Sequence, residues 1–330
     1  MSATNTMDAT IVIPVKNGGA RLGEVLEAVF SQETAYRYEV ICVDSGSHDD
    51  SLATIRRFPA RLVQIPPAEF GHGRTRNYGA SLGTGRYIVF LTQDALPVDT
   101  HWLAPLLDAM EGDEQIAGAF GQHLPYPDCN VFDKRDLPVH FARFGAETTV
   151  FAIQDRAAYD ADINLRLFLS FFSDNNSCLR RSVWEQHPYP DVAFAEDQIW
   201  MRARLEEGWK KAYVPASRVY HSHNFGVVEY TRRLFDDLRA HYVMHDGFRM
   251  IPTVRMALRM MLGGIRADIH YVRCLPLSRP KKARSCLLGI GRDIGRSVGG
   301  YFGSNYYTYG TQVQRFLDRI FSQQARQRKA

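Results

Sequence analysis

The chain of 330 residues is 45% hydrophobic and 23% charged, with a formal net charge of +4, a balance that supports a full core and excludes global disorder. Its five cysteines have neither CxxC nor zinc-like spacing, which argues against a disulfide framework or structural zinc and for reduced thiols. Met1 to Asp8 is polar and no run of about 18 uncharged apolar residues follows, so neither a secretory leader nor a membrane-spanning helix is expected.

The first half alternates strand and helix in the manner of a parallel sheet. Thr10 to Val15 is predicted as a strand. Arg21 to Gln32 follows as a helix, with Leu22, Val25, Leu26 and Val29 on one face. Tyr38 to Val43 is a second strand, and a turn at residues 45–50 caps a helix from Ser51 to Phe58. Arg61 to Ile65 reads as strand, Gly73 to Ser81 as helix and Tyr87 to Leu91 as a fourth strand. His101 to Met110 is helical, and Ile116 to His123 returns to strand. From about Pro125 to Arg143, Pro, Asp and aromatic residues point to a long loop or lid. A strand at Ser177 to Arg180, a short helix from Ser182, an amphipathic helix at Glu196 to Glu207 and a strand at Lys211 to Tyr220, bent at Pro215, complete the body. From Glu229 onward the pattern is helical and basic. Residues 251–330 hold 15 Lys and Arg against 3 Asp and Glu, so this region points to an anionic partner.

Two apolar strands run straight into carboxylates, Asp44 and Asp94. Ligands of open α/β sheets bind at those strand ends. Asp44 is suited to a base or ribose group, or to forming the turn before Ser-Gly. Asp94, together with diphosphate oxygens, is suited to Mg²⁺ or Mn²⁺, or to capping a helix. The turn Gly71-His72-Gly73-Arg74-Thr75-Arg76-Asn77 offers backbone N–H groups and two fixed cations to a diphosphate. Glu196 and Asp197 open a helix, where the dipole favours ionised carboxylates. One of them can serve as a general base. His221 and His223, two positions apart in an extended segment, share a face and offer a metal or phosphate contact. The nicotinamide-dependent reading fails, because no GxGxxG follows the first strand.

Taken in order, five pieces resemble the family 2 glycosyltransferases of the GT-A fold. They are Ile11-Val12-Ile13-Pro14-Val15-Lys16-Asn17, Val43-Asp44-Ser45-Gly46-Ser47, Phe70 to Asn77, Leu91-Thr92-Gln93-Asp94-Ala95 and Ala195-Glu196-Asp197. The GHGRTRN turn combined with TQDA is similar to the bacterial rhamnosyltransferase branch, which uses dTDP-L-rhamnose. The resemblance implies an α/β fold with a mostly parallel sheet flanked by helices. It places a transferase domain at 1–226, with a nucleotide half at about 9–124 and an acceptor half at about 125–226. A helical, basic region at 227–330 follows.

The resemblance also implies roles. Pro14, Asn17, Asp44, Arg74, Gln93 and Asp94 would bind the donor. Thr92 stands where the family's metal motif has its first Asp, which leaves Asp94, with His223, as metal ligands for Mg²⁺ or Mn²⁺. Asp197 matches the base that deprotonates the acceptor hydroxyl, with inversion at the sugar. Asp174, Asn175, Asn176 and Glu196 are the candidate acceptor contacts. The implied acceptor is a glycan or a lipid-diphosphate-linked glycan in cell-surface polysaccharide synthesis. The basic amphipathic end suggests a peripheral position on the cytoplasmic face of the inner or plasma membrane. Nothing in the chain matches a nucleic-acid recognition motif. A UDP-sugar donor, or a non-catalytic carbohydrate-binding protein of the same fold, are the alternatives.

Overall fold

A computed structural model describes residues 7–323. Most of the polar start, residues 1–6, and the last seven residues of the basic end lie outside the described residues.

The first half runs β1 (Ala9–Val15), α1 (Gly19–Phe30), β2 (Tyr38–Asp44), α2 (Ser51–Ile55), β3 (Arg61–Gln64), α3 (His72–Ser81), β4 (Tyr87–Leu91), β5 (Leu96–Pro97), α4 (Leu103–Gly112) and β6 (Ile116–Leu124). There follow α5 (Val131–Ala142), β7 (Thr149–Phe151), α6 (Arg156–Ala161), α7 (Ile163–Ser170), β8 (Asn176–Arg180), α8 (Arg181–Gln186), α9 (Glu196–Glu206) and β9 (Lys210–Tyr220). The remainder is helical: α10 (Val227–Met244), α11 (Val254–Cys274), α12 (Arg279–Ser304) and α13 (Thr311–Phe321). The chain forms two compact units. One runs to Tyr126 and resumes from Leu137 to Ser222. The other holds Pro127–Asp136 and the described residues from His223 onward.

The first unit is built on one mixed sheet in the order β3-β2-β1-β4-β8-β6-β9-β5, with β7 on β9. β4 is apolar throughout, and β1 at every position but Thr10, because both of their faces are covered. Successive side chains alternate sides, so Ile11, Ile13 and Val15 pack with Leu22, Val25, Leu26 and Val29 of α1. Val12 faces the other layer with Ile41, Ile88 and Phe90. β8 lies antiparallel between β4 and β6, pairing Leu91 with Asn176. That reversal brings the residues just before β8 to the edge where β1, β2 and β4 end.

The expected loop at 125–143 is largely a helix, α5. Asn130 makes it so: its Oδ1 accepts from the N–H groups of Phe132 and Asp133, both at 3.0 Å, as an N-cap does. The start of this segment groups with the second unit through partly buried ion pairs, Arg292 with Asp133 at 2.9 Å and Arg135 with Asp268 at 2.8 Å.

In the second unit, α12 carries Gly291, Gly295, Gly299 and Gly303 at every fourth position, on one face of the helix. A Cβ at Gly299 would lie 2.3 Å from Thr231 O, and one at Gly303 would lie 2.4 Å from Phe235 O. The stripe lets the backbones of α10 and α12 touch. Phe235, Tyr306 and Leu317 form the apolar centre beside that contact, with Phe302 and Phe321 against them. No described helix is long and apolar enough to cross a membrane.

Candidate active site

At the carboxyl end of β1 the chain turns through Asn17, whose φ of 51° lies in the left-handed region that Asn tolerates. Asn17 Oδ1 accepts from the His48 N–H at 2.8 Å, and the Asn17 N–H donates to Ser47 Oγ at 2.8 Å. Gly18 N–H donates to Ser51 Oγ and Gly19 N–H to Asp49 Oδ2. These bonds lock the β1 and β2 turns into one rim. Asp44 closes that rim from inside. Its carboxylate accepts from Gly46 N–H at 3.0 Å and Ser47 N–H at 3.2 Å, and it is fully buried. Of the two readings for Asp44, the turn is the one whose contacts are seen: the carboxylate accepts from two N–H groups of its own backbone and is covered by the chain around it.

Gln93 ties the next loop to the same rim. Its Oε1 accepts from the Lys16 N–H at 2.9 Å, while its Nε2–H donates to Lys16 O at 3.0 Å. Asp94 follows, partly exposed, with its carbonyl accepting from Tyr126 OH at 3.0 Å. Asp94 Oδ1 lies 3.7 Å from His221 Nε2, just past the end of β9. The other ring nitrogen of His221 lies 3.3 Å from Asn175 Nδ2. The carboxylate suits Mg²⁺ or Mn²⁺, and the imidazole beside it favours Mn²⁺, the softer of the two. His223 is the first residue of the second unit, and two residues of extended chain keep it within about 7 Å of His221.

The general-base candidate sits on the far side of Asn175. Asp174 N–H donates to Asp197 Oδ2 at 3.2 Å. Asp174, Asn175, His221 and Asp94 therefore link Asp197 to the metal-side carboxylate by successive contacts. Asp197 stands in the first turn of α9, whose N-cap Ala195 is held at φ 61°, a left-handed setting that costs a non-glycine residue about 1–2 kcal/mol. That twist sends Glu196 inward. Glu196 Oε1 accepts from Arg76 Nη1 at 2.8 Å, and Arg76 Nε lies 3.2 Å from Asp174 Oδ2. Asp174 Oδ1 accepts from Tyr189 OH at 2.7 Å and Ser177 Oγ at 2.8 Å.

Asp174 and Glu196 thus share one guanidinium, and the half-buried Asp197 beside them adds a third carboxyl to its field. Burial, then the charges of Asp174 and Glu196, push the Asp197 carboxyl well above the usual carboxylate range, with Arg76 opposing. Burial also raises Glu196 to about 7, again against the pull of Arg76. A carboxyl tuned upward in this way holds a proton more tightly, as a general base must.

Several expected contacts are thereby reassigned. Asn176 is fully buried; its Oδ1 accepts from Trp102 Nε1 at 2.8 Å and its Nδ2 donates to Ser217 O at 2.9 Å. It braces β8 and leaves no group for an acceptor. Asp174 and Glu196 face Arg76 rather than open space. Asn175 alone of that group touches the rim, at His221. Arg74 is exposed on α3, 3.5 Å from Asp191, and Pro14 is half-buried in β1. The residues that sequence reasoning underused are Arg76, Tyr189 and His221. Arg76 had a visible signal, because Gly73, Arg76 and Ala80 share one helical face of small, buried neighbours.

The profile of the family described as glycosyl transferase family 2 matches residues 10–186. The chain is 32% identical over 233 residues to the O-antigen chain rhamnosyltransferase WbaN of Salmonella anatum, covering 69% of this chain and 70% of that one. Among solved structures, S. aureus TarS 1-349 in complex with UDP-GlcNAc superposes with a TM-score of 0.53 at 14% identity, covering 92% of each chain. Glucosyl-3-phosphoglycerate synthase from Mycobacterium tuberculosis, in complex with Mn²⁺, uridine-diphosphate and glucosyl-3-phosphoglycerate, gives 0.53 at 16% identity over 76% of this chain and 84% of that one. These two share the fold, a mostly parallel sheet between helices. With more than half of its length matched, this chain belongs to glycosyl transferase family 2 and is a glycosyltransferase.

Proposed function

We propose that the chain transfers L-rhamnose from dTDP-L-rhamnose, with inversion, to a hydroxyl of a glycan carried on a lipid diphosphate, in O-antigen-type polysaccharide synthesis. The observation that carries this reading is the ordered pair at the sheet edge. A tuned carboxylate, Asp197, is joined through Asp174, Asn175 and His221 to Asp94, in a chain that resembles a named rhamnosyltransferase over most of its length.

Asp197 takes the proton of the acceptor hydroxyl, whose oxygen bonds to the anomeric carbon. The bond from that carbon to the diphosphate breaks, and the electron pair leaves with the nucleoside diphosphate. One base and no protein nucleophile suffice for this single displacement. Asn17 and the turn at 45–48 form the rim for the base and ribose, with Pro14 beneath and Asp44 holding the turn rather than touching the donor. Gln93 fixes the loop of Asp94, and Arg74, exposed in the first turn of α3, is assigned to the diphosphate. Asp94, His221 and His223 would hold Mg²⁺ or Mn²⁺, which would neutralise charge on the departing diphosphate. A lipid-linked acceptor sets the reaction at a membrane surface, on its cytoplasmic face.

The test is a panel of nucleotide sugars scored by nucleoside diphosphate release, with and without EDTA. Release from dTDP-rhamnose that EDTA abolishes is the expected result. Release from UDP-sugars but not from dTDP-rhamnose overturns the donor assignment.

A further inference from the structure

The membrane-surface reading above has a specific physical counterpart in α11, and the inference here rests on that reading. Arg255, Arg259, Arg266 and Arg273 follow one another at intervals of four and seven, which sets them in one row along the helix. All four are exposed. Val254, Leu258 and Leu262, spaced by four, make a parallel row, each about half exposed (54%, 49% and 51%). Met256 and Met260, also exposed, flank the arginines on the other side. The opposite seam, Ala257, Asp268 and Val272, is buried.

Charge sharpens the picture. Between Gly247 and Arg292 the only acidic residue is Asp268, which is 5% exposed and paired with Arg135. The helix therefore shows solvent about 30 Å of arginine and aliphatic surface with no exposed carboxylate. Arg279, Lys281 and Arg284 continue the positive field at the start of α12. Two copies meeting through this face would set arginine row against arginine row. A nucleic acid would use the guanidinium groups and leave the Val, Leu and Met side chains idle. An anionic lipid surface uses both, with phosphates for the arginines and the acyl boundary for the aliphatic rows.

We propose that α11 lies in the plane of an anionic phospholipid surface, with Val254, Leu258 and Leu262 entering the acyl boundary and Arg255, Arg259, Arg266 and Arg273 meeting lipid phosphates. The partner is the bilayer itself, independent of the sugar acceptor. Docking of this kind holds the chain beside a surface-borne acceptor without crossing the membrane.

The experiment is co-sedimentation of the full chain with vesicles of phosphatidylcholine, alone or with about 30% phosphatidylglycerol. Two variants accompany it, Arg255→Glu/Arg259→Glu/Arg266→Glu and Leu258→Ser/Leu262→Ser. Nucleoside diphosphate release in solution reports that each is folded, and Arg255→Gln/Arg259→Gln replaces the charge reversal if that variant does not fold. The expected result is binding only to the anionic vesicles, weakened at least about 100-fold by charge reversal and weakened by the serine pair, with release unchanged. Wild-type binding that both variants retain removes α11 from the contact while leaving membrane association intact. Wild type that ignores anionic vesicles ends both ideas. A dimer seen by light scattering that the serine pair splits would reassign the face to a second copy of the chain and overturn the proposal.

Discussion

Arg76 and Glu196, 120 positions apart in the chain, meet at 2.8 Å with less than a tenth of either side chain exposed. Asp174 shares the same guanidinium. Burying carboxyl groups is tolerable only beside a partner, so the Arg76 guanidinium holds both of these side chains next to the loop that delivers Asp197.

Replacing the cation exposes that dependence. Arg76→Met leaves Asp174 and Glu196 buried without a counter-charge, and a loss of about 3–5 kcal/mol is expected. Thermal melting checks it; a melting temperature within 2 °C of wild type would contradict the role given to Arg76.

The raised Glu196 carboxyl gives stability a pH dependence. Its folded value, about 7, lies above the ordinary 4.5, so the fold holds this proton more tightly than the unfolded chain does. The support from that proton is complete below about pH 4.5 and is lost as the pH rises through about 7. Wild type is expected to lose more melting temperature between pH 5 and pH 8 than Glu196→Gln, which keeps a neutral acceptor for Arg76. Parallel slopes would refute the assignment.

Asp197→Asn removes the base and keeps the shape. Transfer is expected to fall by about 10²–10⁴-fold with little change in melting temperature, since Asn retains an oxygen for the Asp174 N–H. The wild-type rate should also decline on acidification at a pH above the usual carboxylate range, because burial and the charges of Asp174 and Glu196 favour the protonated form. A full rate in the Asn variant would move the base elsewhere.

Asp94 and His221 are separable from the base. Asp94→Asn and His221→Ala are each expected to raise the Mn²⁺ concentration for half-maximal nucleoside diphosphate release by about tenfold or more. Isothermal titration of Mn²⁺ with nucleoside diphosphate present gives an independent reading. Unchanged titration curves would place the ion on other ligands.

Asn176 gives the opposite signature. Asn176→Ala strips partners from Trp102 Nε1 and Ser217 O inside the sheet. A cost of about 2–4 kcal/mol is expected, since each orphaned group carries about 1–3. The acceptor KM of whatever remains folded should not move; a large KM change in a stable variant would return Asn176 to the acceptor site.

Much of this fold is legible before any coordinates, for a simple reason. A strand covered on both faces favours apolar residues, and the apolar run Tyr87 to Leu91 has the same bounds as β4. Direction is not written in such a run, and β8 reads equally well either way; its antiparallel setting emerges only from pairing with β4. The triplet Asp174-Asn175-Asn176 reads as one polar cluster. Entry into a strand sends neighbours to opposite sides, so two members turn to internal partners and Asn175 stays at the rim. Helical geometry divides Arg74 from Arg76: two positions on α3 span about 200°, which sets them on opposite flanks. Their residue types are equivalent, and the side that packs is decided by the small residues around them. Pro138 and the aromatic residues around it give α5 the composition of a loop, whereas the feature that starts the helix is a single amide, Asn130.

The clasp of Gln93 on Lys16 limits what this loop can become. The amide gives a hydrogen at one end and receives one at the other, and an acidic side chain can only receive. Converting position 93 to Glu to enrich the loop in negative charge would sever the Lys16 carbonyl link and set two electron-rich oxygens face to face. The chain has, in effect, exchanged an extra anion for a stiff mount, and Asp94 stands on a bracket rather than on a tether.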